Sequence, residues 1–72
     1  MYLSPQQQFG SSVRISRQAY RLSQAALASL AGTTQSQIAR IEAGLANPTL
    51  GTMQAIAGCF GMAIRIGMYR AK

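Results

Sequence analysis

Gln35 and Arg40 lie five positions apart in the stretch TTQSQIARIEAG, and both end in flat groups that can form paired hydrogen bonds. A glutamine amide matches N6 and N7 of adenine. A guanidinium matches O6 and N7 of guanine, or grips a phosphate. Gln24 follows Ser23 at the predicted start of another helix. There, free backbone N–H groups and the positive end of the helix dipole favour an anion. This is the chemistry of base-edge and phosphate contacts.

Bond-breaking chemistry lacks its usual side chains. The sequence has no histidine and a single acid, Glu42. A general acid–base pair cannot be assembled from that stock, and no cluster of Cys, His or carboxylates has metal-ligand spacing. Cys59 has no histidine or aspartate to activate it and reads as a packed thiol. No glycine-rich phosphate loop is present. The expectation is a non-enzyme with no cofactor and no metal.

The elements that must hold Gln24, Gln35 and Arg40 are two short helices joined by a tight turn. Ser23 and Thr34 are good N-caps, and Gln37, three residues after Thr34, completes a capping-box pattern. Gly32 stands where the first of the two must stop. Leu27, Ala31, Ile38 and Ile41 fall on the inward faces, and Ala28 is small where helices must pass closely. With Ile38 and Ile41 inward and about 100° per residue, Ser36, Arg40 and Ala43 point outward, flanked by Gln37 and Ala39. That face is polar, with one cation and no anion. A helix built merely for solvent would usually carry Glu and Lys, whereas a groove-reading helix needs short or hydrogen-bonding side chains and no carboxylate.

The rest of the chain extends this into a mainly α bundle of four helices, over about 5–20, 24–31, 35–43 and 50–60, forming one domain over residues 1–72. Met1 to Leu3 reads as a loose end. Ser4, Pro5 and Gln7 form a helix-start pattern, although Gly10 weakens that helix or marks a later start. Thr49 caps the fourth helix, whose apolar face is Leu50, Met53, Ile56, Ala57 and Phe60. From Ala63 to Tyr69 the period changes: Ile64, Ile66 and Met68 alternate with Arg65, Gly67 and Tyr69, a strand pattern. A net charge of +6 over 72 residues fits an anionic partner such as nucleic acid. One cysteine, no leader-like N-terminus and no apolar run of membrane-spanning length make the expectation cytoplasmic, without a membrane partner.

The segment from Val13 to Phe60 resembles the helix-turn-helix domain of lambda-type phage repressors and Cro, the XRE family. The resemblance rests on Arg17, LSQAALASLAG at Leu22 to Gly32, TTQSQIARIEAG at Thr33 to Gly44, and NPTL at Asn47 to Leu50. It implies a lambda-repressor-like bundle whose third helix enters the major groove of double-stranded operator DNA, working as a homodimer. The position of Gln24 would touch phosphate and brace Gln35, while Thr34, Gln35, Ser36 and Arg40 match usual contact positions. Thr33, Gln37 and Asn47 complete the expected DNA-binding set. Arg17 and Glu42 match a family ion pair tying the first helix to the third. Arg21 departs from the pattern, standing where many relatives have glycine, and the loop Leu45 to Asn47 lacks the basic residues often found there.

The strand pattern is the largest departure. A lone strand leaves its backbone unpaired, and no second strand pattern exists in the chain. Its partner is therefore expected from a second copy, antiparallel, with Ile64, Ile66 and Met68 at the dimer interface. The competing expectation is a fifth helix, as in phage repressors. The strand makes the chain look more like short antitoxins of the HigA and HipB type, which bind operator DNA and a toxin protein. Two functions are thus expected in turn: a repressor, or an antitoxin that neutralises a toxin and regulates its own operon.

Overall fold

A computed structural model describes residues 3–71. The expectation for Met1 and Tyr2 lies outside the described residues. The element order is α1 (Pro5–Ala19), α2 (Gln24–Ala31), α3 (Gln35–Glu42) and α4 (Leu50–Gly58).

Each helix starts at a side-chain cap. Ser4, Ser23, Thr34 and Thr49 are extended, and each accepts a backbone N–H three residues on. This satisfies one of the donors a helix start leaves open. At α1 the box is complete, because the Gln7 side chain also accepts from the Ser4 N–H. Helix α1 therefore starts at Pro5 and runs through Gly10. At α3 the Thr34 half is made, with Gln37 N–H donating to Thr34 Oγ1 at 3.1 Å. The return bond from Gln37 is not formed among the described residues. Gly32 ends α2 at φ 72°, ψ 33°, a left-handed conformation that costs glycine little. Arg21, after α1, sits at φ 57° without that freedom.

The core is Val13, Leu27, Ala28, Ile38, Ile41, Ala46, Ile56 and Phe60, with Phe9, Leu22, Ala31 and Cys59 packed against it. Helix α3 lies at its centre, packed on both α1 and α2, while α4 packs on α2. Gly10 explains itself here. It is buried in α1 against the Ile41 carbonyl, and a Cβ at that position would collide with this oxygen. The glycine sets how closely α1 and α3 approach. Tyr20 closes the far end, its hydroxyl donating to the Phe60 carbonyl at 3.2 Å and its ring 5.2 Å from that of Phe60.

One expectation fails, and one is not met within a single copy. Leu50 does not join the apolar face of α4 but is exposed. The strand over about 63–69, expected against a second copy, does not form in one copy: no strand occurs among the described residues, and residues 62–71 are irregular, without the alternative fifth helix. The alternating pattern specifies which side chains share a face, but a strand exists only with a ladder partner, and a single copy offers none. Ile64 turns toward a cavity of about 230 Å³ between α1 and α4, lined also by Phe9, Val13, Ile56 and Phe60. Ile66, Met68 and Tyr69 are exposed. No helix among the described residues is long and apolar enough to cross a membrane.

Candidate nucleic-acid interface

The orientation of α3 is set by Ile38 and Ile41, which are fully enclosed in the core. Their burial leaves Thr34, Gln35, Ser36, Arg40 and Ala43 exposed, with Gln37 and Ala39 half-buried at the flanks. The turn before α3 is held by the Thr33 N–H, which donates to Ala28 O at 2.9 Å. Thr33 is accordingly half-buried. Gln35 and Ser36 occupy the first turn, where backbone N–H groups lack intrahelical acceptors. The face is polar and free of carboxylates.

Behind this face lies a charged network. Arg17 Nε donates to Glu42 Oε2 at 2.7 Å, and Arg17 Nη2 donates to Glu42 Oε1 at 3.0 Å. This is the forked geometry that suits a guanidinium to a carboxylate. The Arg17 side chain is 14% exposed and that of Glu42 5%. A third Arg17 bond, from Nη1 to Leu22 O at 2.9 Å, ties the pair to the α1–α2 turn. The hydrogen bond to Glu42 raises the Arg17 pKa above its ordinary value against the opposing effect of burial, so the guanidinium is permanently charged. Gln24 joins from α2, with Nε2 donating to Glu42 Oε1 at 3.2 Å.

The structure thus brings Arg17, Gln24 and Glu42 together and leaves Gln24 and Gln35 without a mutual hydrogen bond. Gln24 is half-buried rather than fully displayed. Arg40 is also partly committed: its Nη2 donates to the Leu45 carbonyl at 3.0 Å, and Leu45 N–H donates to Arg40 O at 2.9 Å. The guanidinium is therefore drawn to the C-terminal end of α3. Asn47 accepts from Gln6 Nε2, which fastens the loop after α3 to the start of α1. Neither the Gln24–Glu42 bond nor the Gln6–Asn47 bond follows a sequence motif. Both depend on how α1 and α2 lie across α3.

Charge separates cleanly by depth. Glu42, the sole acid of the sequence, is buried under Arg17. Arg14, Arg21, Arg40, Arg65 and Arg70 are exposed. No acidic side chain therefore reaches the surface to repel a phosphate. Among the described residues no group of three His, Cys, Asp or Glu side chains could hold a metal. Cys59 is half-buried, its Sγ donating to Ala55 O at 3.3 Å.

Comparison with known proteins places the same geometry in a wider set. A family model described as HTH_3, helix-turn-helix, matches residues 13–66. A crystal structure of an HTH_3 family transcriptional regulator from Vibrio cholerae is similar at a TM-score of 0.75 and 28% sequence identity over 81% of this chain. The match spans 33% of that regulator's chain, about one third of its length. No curated protein matches the sequence.

Proposed function

The chain belongs to the HTH_3 family of XRE-type helix-turn-helix proteins, and we propose that it is a sequence-specific regulator of transcription that binds double-stranded operator DNA as a homodimer. The observation that carries this reading is the outward face of α3, where Gln35, Ser36 and Arg40 are exposed with no carboxylate beside them. In this reading α3 lies in the major groove and Gln35 meets an adenine edge from the first turn of the helix. Arg40, held at the other end of α3 by Leu45 O, grips a phosphate rather than a base. Gln24 meets a phosphate at the start of α2, and Thr33, Thr34, Gln37 and Asn47 border the contact.

The tail supplies the dimer. Ile66 and Met68 are exposed beside a face whose Ile64 already leans on the helices. Antiparallel pairing of residues 63–69 with a second copy would satisfy the unpaired backbone and cover these side chains. Two recognition helices would then sit roughly 34 Å apart, one DNA turn. Repression follows from occupancy: a dimer on its operator excludes polymerase. Selection of bound sequences from a random duplex pool tests this. Enrichment of a two-part palindrome is expected, and no enrichment would overturn the central claim.

The same exposed tail favours a second reading, a DNA-binding antitoxin whose Ile66, Met68 and Tyr69 also meet a toxin chain. Purification of the tagged protein from its native host separates the two readings, because a stoichiometric partner protein is expected only of the antitoxin.

A further inference from the structure

The Gln24–Glu42 bond has a chemical consequence for the DNA-facing side of α2. A primary amide can turn its terminal group over, exchanging oxygen and nitrogen at little cost, so an unrestrained glutamine offers either a donor or an acceptor. A carboxylate removes that choice, because it only accepts. Glu42 is held by two bonds from Arg17, one to each oxygen, and cannot rotate to follow the amide. The Gln24 group next to Oε1 of Glu42 must therefore be Nε2, as observed at 3.2 Å. The carbonyl oxygen then lies on the opposite side of Cδ, and one Nε2–H remains available.

We propose that Glu42 is a positioning residue for DNA binding: it fixes the polarity of the Gln24 amide, so that a remaining N–H is directed to the phosphate. This rests on the reading of the protein as a DNA-binding regulator and adds a role for its one acid. A phosphate, like a carboxylate, only accepts. An amide turned the other way would set oxygen against oxygen. Glu42 excludes that state before DNA arrives, so no binding energy is spent on selecting the orientation. Arg17 is the base of the same device, because it holds the carboxylate in register. The acid thus acts on DNA through Gln24 without touching it, from a site where its charge is already compensated.

The test is a double-mutant cycle on operator affinity, using Gln24→Met, Glu42→Gln and the double variant, each first checked for the parent's pattern of backbone amide resonances. Gln24→Met removes the amide but leaves Arg17 and Glu42 paired. Glu42→Gln can accept from Arg17 yet also donate, so it no longer dictates the orientation of Gln24. Gln24→Met should weaken binding by roughly tenfold per half-site, the worth of one hydrogen bond, and Glu42→Gln by at least about twofold, the cost of leaving the amide free to take either orientation. The double variant should be no weaker than Gln24→Met alone. Additive losses would show that Glu42 affects binding independently of Gln24 and would overturn the proposal. A second measurement decides on the parent protein even where Glu42→Gln does not fold. One of the two Gln24 Nε2 protons should exchange slowly with water and show contacts to the Glu42 methylene groups, and an amide with neither protection nor contacts would equally overturn the proposal. Failure of the parent to bind any duplex refutes the function itself, whatever the amide does.

Discussion

Gln35 and Arg40 are separated by more than sequence. Gln35 is exposed at the start of α3, whereas Arg40 is anchored to Leu45 O at its end. Gln35→Ala should therefore relax the preference at one base position, at a cost of about 1–3 kcal/mol on the best sequence. Arg40→Ala should weaken all sequences alike and reduce the salt dependence by about 0.9 per half-site. Titration of selected and scrambled duplexes at several salt concentrations distinguishes the two patterns, and unchanged binding in both variants would remove α3 as the reader. Arg17 is a matter of stability. Arg17→Met leaves the Glu42 carboxylate buried with Gln24 as its remaining donor, an arrangement expected to cost about 3–5 kcal/mol. Small domains hold only about 5–15 kcal/mol in total, so thermal melting should shift far below the parent. A variant that melts like the parent would show that the pair contributes no net stability.

At the scale of elements, what the sequence made legible was local. The residues at the four helix starts, Ser4, Ser23, Thr34 and Thr49, could be read because a cap acts within three positions of itself. The inward pair Ile38 and Ile41 could be read because helical periodicity fixes relative direction. Gly10 was opaque. In the sequence it is a weak helix residue, and its cause is the Ile41 carbonyl, which belongs to another element entirely. The partner of Gln24 was opaque for the same reason. Arg17 and Glu42 became legible as a pair through family resemblance, since no spacing rule joins positions on separate helices. The tail was legible only in part, because alternation describes one half of a ladder and the other half must come from a second copy. Gly10 yields a direct measurement. Gly10→Ala gains up to about 1 kcal/mol of helix propensity but drives a methyl into the α1–α3 contact, a clash expected to cost about 1–3 kcal/mol. Urea unfolding should show a lower midpoint with an unchanged slope, and a higher midpoint would mean that the two helices are free to separate.

For the whole molecule, the tail decides the assembly. The bundle buries its core without residues 62–71, apart from Ile64 at the cavity between α1 and α4. A chain ending at Gly61 should therefore keep the helices, sediment as a monomer and lose roughly a hundredfold or more in affinity for a two-part operator as the second binding arm is lost. A truncated chain that stays dimeric and binds as tightly as the parent would place the dimer seam elsewhere. The burial of the sole acid reaches further. With Glu42 enclosed and no histidine in the sequence, the exposed charged side chains among the described residues are all arginines. No side chain of the type that ordinarily titrates between about pH 5 and 8 is present to modulate it. The protein surface is in effect a strong-base ion exchanger, whose grip on a polyanion is governed by competing small ions. Between about pH 6 and 8 its operator affinity should stay level. Added salt should lower it with a logarithmic slope of about 0.9 for each phosphate neutralised, a contrast that one binding titration on two axes would reveal.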